Sequence, residues 1–149
     1  TTVDAGGAEL ILAHERGGTV VQNNDLLGGI TIQGYDGANL ESAASVGFFV
    51  DGIPGSDNMP GRIILSTTPA GSATPQERVR IDSTGYVGIG GVTNPARDLH
   101  VSDLMRIEPR GSAPSSPALG DIYIDSDSSE FCFFNGVMWI GLSAAETCA

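Results

Sequence analysis

Asp121, Asp125, Asp127 and Glu130 stand at near-regular spacing around one turn-like stretch, and oxygen ligands grouped in that way are what a calcium ion takes. The order is not that of an EF-hand, because no Gly stands at the sixth place and strand-like residues interrupt the set. A solvated acidic turn is the plainer reading, so no metal and no cofactor is assigned. His14 and His100 are the only histidines. His14 lies beside Glu15 and Arg16 at a strand end, and alternation sets His100 opposite Leu99 and Val101. Neither belongs to a Ser-His-Asp or Cys-His arrangement with a supporting motif such as a nucleophile elbow. Two carboxylates for glycoside hydrolysis are brought together only in three dimensions, and nothing in the spacing points to such a pair. Gly88-Ile89-Gly90-Gly91 echoes a nucleotide loop, but no helix can follow with Pro95 so close. No catalytic residue is assigned.

Cys132 and Cys148 are too few for a disulfide scaffold and lack metal-site spacing. The pairing open to them is a Cys132–Cys148 bridge, which would tie the C-terminal end to the last hairpin. Trp139 and Tyr123, with Asn135, have two readings. Aromatic faces beside an amide suit a sugar-stacking platform for a cell-surface glycan or receptor, whereas the alternative places Trp139 in the core against Cys132.

The bulk properties bound the partners. Against 18 acidic side chains the chain carries 7 basic ones, all Arg, for a net charge of -11. Such a surface repels phosphate backbones and anionic lipid, which argues against nucleic acid as a partner. No run approaches the 18 or so apolar residues of a membrane span, so membrane insertion is not expected. The 149 residues begin without Met, and are expected to be an excised or processed piece. With 21 Gly, 8 Pro and 6% aromatics, the composition favours short strands and tight turns over helices.

The elements that would position these residues follow from period-2 alternation and turn chemistry. Residues 8–13 (AELILA) and 29–34 (GITIQG) read as strands, with a polar turn-rich stretch between them and a turn at Asp36-Gly37. Residues 43–50 (AASVGFFV) fit helix or strand by composition. Strand is preferred, because Val46, Phe48 and Val50 alternate and Gly47 would cost a helix about 1 kcal/mol. After a Gly/Pro/Asp/Asn loop over 51–61 comes a strand at 62–67, a second loop at 68–75, and a hairpin over 77–89. Gly85 supplies the positive φ of its short loop. Short strands follow at 99–101 and 104–108. A Pro/Ser/Gly linker at 109–119 then separates a module at 1–108 from a three-strand meander at 120–142, leaving a tail at 143–149.

In the meander, Asn135-Gly136 is a strong hairpin signal. Counting outward from a loop made of those two residues sets Phe134 opposite Val137, Phe133 opposite Met138, Cys132 opposite Trp139 and Phe131 opposite Ile140. Both faces of that ribbon are apolar, which a free-standing hairpin does not tolerate in water. Copies of the same chain would supply the second cover.

The phrases "GGITIQGYDGANLESAASVGFFVDGIPGSDNMPGRIILSTTPAGSATPQERVRIDSTGYVGIG", Asn94-Pro95 and "LHV" at 99–101 resemble a repeat of phage tail-fibre and trimeric fibre-like adhesin proteins. The resemblance covers residues 9–101 and is specific in spacing and residue type. It implies an all-β, elongated and intertwined homotrimeric fibre segment, extracellular or on a virion, and does not imply an activity. Gly85, Gly88 and Gly90 would then serve turns and close approach of chains at a threefold axis, and Pro95 the exit from the shaft. Phe131, Phe133, Trp139 and Ile140 would form the tip. "VGIGG" replaces the usual "VGIGT", which loosens one turn. Many relatives continue after "LHV" into a self-cleaving chaperone domain; its catalytic machinery has no counterpart in the fifty or so residues that follow here, so autoproteolysis is not carried over. The function expected is structural, with oligomerisation and host or receptor attachment. A glycan-binding lectin-like module and a self-assembling extracellular filament, built by edge addition of residues 8–13, are the alternatives.

Overall fold

The computed structural model describes residues 9–142. Internal contacts divide the chain into two compact units between Asp103 and Leu104. The described residues contain strands and turns and no helix, as the all-β expectation requires.

The first unit is a six-stranded sheet in which sequence order is spatial order: β1 (Leu26–Tyr35), β2 (Leu40–Val50), β3 (Gly61–Thr67), β4 (Gln76–Ile81), β5 (Val87–Ile89) and β6 (Leu99–Val101). Neighbours are antiparallel except β5 and β6, which are parallel. Short connections explain the meander, since a tight turn can only return the chain antiparallel to the strand it left. The parallel pair is reached by the loop through Pro95, which is buried.

Because side chains alternate between faces, the register fixes which residues share a face. One aligned row runs Ile30, Val46, Leu65, Val79, Ile89, Val101, and the next runs Gly28, Phe48, Ile63, Ile81, Val87, Leu99. The opposite face carries Gly29, Gly47, Ile64, Arg80, Gly88 and His100 in register. Apolar residues at alternate positions of six strands have therefore been gathered on one side. Register shifts interrupt the ladder at three places, with the extra residue Leu27 on β1, Ala43 on β2 and Arg78 on β4.

Two expected strands are not formed. Residues 9–13 pair with no strand; Leu12 instead lies over Gly28, where an added Cβ would come within 2.9 Å of the leucine's own Cβ. Ala8 lies outside the described residues. Residues 104–108 are also unpaired, and hold only an exposed ion pair between Arg106 and Glu108. In both places the β-pattern is present but no edge among the described residues pairs with it.

The second unit is a three-stranded antiparallel sheet of β7 (Ile122–Ile124), β8 (Phe131–Phe134) and β9 (Trp139–Gly141). Within residues 109–119, Arg110 is bonded into it: its N–H donates to the Ile124 carbonyl and its carbonyl accepts from the Ser126 N–H. The β8–β9 register differs from the one counted from the sequence. Phe134 faces Trp139, Phe133 faces Ile140 and Cys132 faces Gly141. The turn is centred one residue later because the Asn135 N–H donates to the Met138 carbonyl, while the Asn135 Oδ1 accepts from the N–H groups of Val137 and Met138. Asn135 is thus a flanking residue and not the first loop residue. The displacement of two along β9 keeps parity, so each side chain stays on its expected face.

Candidate functional site

The dominant surface feature of the first unit is the apolar side of its sheet. Ile30 is 53% exposed and Leu99 is 54% exposed, with Phe48, Ile63, Leu65, Ile81 and Ile89 between them also open. The two aligned rows contain no charged residue. Strand spacings of about 4.8 Å and pleat repeats of about 7 Å give a continuous face of about 400 Å². That is the size of the largest patch a soluble monomer exposes, and such patches are often functional. Over Ile30, Ile32, Ala44, Val46 and Leu65 the face forms a shallow apolar cavity.

The opposite side is built differently. The Arg62 guanidinium is buried; it donates to the Val50 carbonyl at 2.9 Å, to Asp51 at 3.0 Å and to Asn24 Oδ1 at 2.8 Å. Asp51 also accepts from the Ser83 N–H at 2.8 Å, and its carbonyl accepts from the Ser83 hydroxyl. One arginine therefore joins the 22–25 turn, the end of β2 and, through Asp51, the β4–β5 turn. Burial raises the Asp51 carboxyl, but the Ser83 N–H, Arg62 and the Ser83 hydroxyl outweigh it and hold the group below the ordinary aspartate value. Asp82 behaves alike: burial raises it, while the Thr84 hydroxyl and the N–H groups of Tyr86 and Thr84 lower it further. Arg80 is raised by its paired hydrogen bonds to Glu77, both at 2.8 Å. This network was not anticipated from the sequence. The available sign was a lone Arg opening the apolar run at 62–67.

The singled-out glycines have reasons inside their own chain. Gly85 has φ +89° and closes the β4–β5 loop by donating to the Asp82 carbonyl. A side chain at Gly88 would strike the Val92 carbonyl and stand 3.1 Å from the Val92 Cβ, on the polar side of the sheet. The Gly90 carbonyl accepts from the Ser102 hydroxyl, which occupies the space a Cβ would need. Gly88, in register with Arg80 and His100, does not face the open apolar side.

In the second unit Tyr123 and Trp139 are 3% and 8% exposed. Their rings meet edge to face at 4.7 Å and 81°, with Phe134 tilted against Trp139 at 5.3 Å. Cys132, fully buried, completes this cluster. Ring faces packed in this way leave little open to a sugar, and Asn135 is occupied in holding its turn. Burial raises the Tyr123 phenol. Phe131, Phe133 and Ile140 are only half covered, and Phe133 and Ile140 are paired with each other on the other side of the sheet. The expected bridge to Cys132 involves Cys148, which lies outside the described residues.

The acidic set does not converge. Asp125 is buried and its Oδ1 accepts from the N–H groups of Asp127 and Ser128, while Asp121 accepts from the Ala118 N–H. No group of three or more His, Cys, Asp or Glu among the described residues is placed to hold a metal ion. His14 is exposed, and His100 accepts a 3.4 Å bond from the Ala96 N–H on the polar side of β6. Among the described residues no helix is long and apolar enough to cross a membrane.

No protein-family model and no curated protein matches the sequence. Among solved structures, the fold is similar to the carboxy-terminal domain of the bacteriophage T5 L-shaped tail fibre, with a TM-score of 0.57 and 21% identity, covering 90% of this chain and 64% of that one. It is also similar to the same domain with its intra-molecular chaperone domain, with a TM-score of 0.59 and 21% identity, covering 90% of this chain and 44% of that one. The chain thus spans less than two-thirds of the length of either structure. Its all-β fold is similar to that of part of a phage tail-fibre carboxy-terminal domain.

Proposed function

We propose that this chain is a structural, non-enzymatic segment of a phage-type tail fibre, assembled as a homotrimer and carried on a virion. The observation that carries the reading is the uncharged, six-strand-wide apolar face, left open in a single copy of a tail-fibre-like fold. A sheet with one polar and one apolar side needs a second layer against the latter. Sister copies provide a layer of the right chemistry, with the Arg62 and Arg80 side turned outward. The half-covered face holding Phe133 and Ile140 in the second unit is closed by the same association. Host attachment belongs to the fibre role and is not assigned to Trp139.

The reading is tested by mass in solution. Sedimentation or multi-angle light scattering of the purified chain is expected to give three chain masses, and a stably folded monomer overturns it.

A further inference from the structure

Residues 9–13, Glu-Leu-Ile-Leu-Ala, have strand-forming alternation, yet pair with no strand among the described residues. Leu10 and Ile11 are 77% and 73% exposed. The next backbone pairing in the chain is the small turn joining Arg16 and Thr19. β1, at one edge of the sheet, has the complementary deficiency. It is 10 residues long and contains no charged residue and no proline. Long neutral edges are what natural sheets avoid, because a row of unpaired N–H and C=O groups is a template for another strand. The opposite edge is guarded in the usual way: β6 has 3 residues, and Asp98 and Asp103 stand close to its ends.

We propose that residues 9–13 of one copy add as a β-strand along the free β1 edge of a second copy. The proposal rests on the self-association reading above, and names the contact that links one sheet to the next. Five residues at about 3.3 Å each span roughly 17 Å, within the length that a strand of β1's size offers. Within its own chain the segment does not fill this place, since Leu12 stands over the apolar side of Gly28. Alternation also fits: with Leu10 and Leu12 turned to the side of Ile30 and Ile32, the added strand extends the apolar face by one row.

The test uses the full chain with a benzophenone photo-crosslinking amino acid in place of Ile11. Irradiation is expected to join this position to residues 26–35 of another copy, recovered as a covalent dimer. Crosslinks confined to one chain, or to any other segment, overturn the proposal. Hydrogen exchange provides a second readout with Ile11→Pro, which cannot donate at that position. Amides of β1 should exchange about tenfold faster in the variant while those of β3 are unchanged, and equal β1 rates overturn the proposal. Solution mass keeps the two readings apart: a multimer without the inter-copy crosslink removes strand addition alone, whereas a folded monomer removes the association on which it rests.

Discussion

The Arg62 guanidinium carbon lies 5.1 Å from the centroid of the Phe49 ring, and the two residues face each other across β2 and β3. The ring covers one side of a cation whose terminal nitrogens hold the end of β2 and the 22–25 turn, and the Arg62 Nε is buried without a hydrogen-bond partner. Charge and ring together stand in for water in that place.

Arg62→Met is therefore expected to destabilise the first unit by about 3 kcal/mol, because it leaves Asp51 and the Val50 carbonyl short of their buried donor. Urea unfolding read by far-UV circular dichroism measures this. A loss below about 0.5 kcal/mol, the range of ordinary surface changes, would show that the network contributes nothing.

Leu65→Glu places a charge in the middle of the open apolar face, beside Val46 and Val79. In the proposed homotrimer that face excludes water, so the variant should fold as a sheet but run at the mass of a single chain in light scattering. Ser45→Glu, on the opposite side, should keep the parent mass.

Gly88→Val should cost about 1–3 kcal/mol by overpacking against Val92. Because that neighbour is in the same chain, the loss should appear equally in the Leu65→Glu background. Thermal unfolding of the two single variants and the double variant makes the comparison; a loss confined to the parent background would move the close approach to a chain interface.

The pH dependence follows from Asp51 and Asp82. Both carboxyls lie below the ordinary value of 3.8 in the folded chain, so the unfolded state binds protons first as pH falls. Their contribution to stability is complete above that value and is lost as pH drops through the lowered ones. Unfolding midpoints should be flat from pH 7 to about 5 and fall steeply toward pH 2. Asp51→Asn should be less stable at neutral pH and show a shallower acid slope.

Trp139→Ala should cost about 3–5 kcal/mol in the second unit, whose buried cluster consists of Tyr123, Cys132 and Trp139 with Ala113 and Phe134 packed on it. Few small sheets survive such a loss. Loss of near-UV aromatic signal from Tyr123, with β2–β3 amides still protected from exchange, is the expected result.

Most of the strand pattern could be read from alternation. Val46, Phe48 and Val50 marked β2, and Val79, Ile81, Val87 and Ile89 marked the β4–β5 hairpin with its loop through Gly85. Local signals failed where the deciding partner was distant or lay in a side chain. Residues 9–13 and 104–108 carry the right period but meet no edge among the described residues. The β8–β9 register was misplaced because the Asn135 amide replaces a backbone acceptor, which composition does not reveal. Arg62 reaches Asn24 and Asp51 across 38 and 11 residues, and no spacing rule links those positions. The apolar face itself is implicit in each strand, but it is visible as one surface only once the register aligns the side chains of the six strands.

The strictly sequential order of the first sheet also separates two clocks. Every pairing from β1 to β6 joins neighbours along the chain, so loop closures are short and each polypeptide can zip its own ladder quickly as it emerges. In the proposed homotrimer, covering the greasy side needs an encounter between finished ladders, which is set by dilution. Refolding should then show a fast unimolecular phase in backbone signal, followed by a concentration-dependent phase in mass, and the interval between them is when the bare sheet is most prone to aggregate.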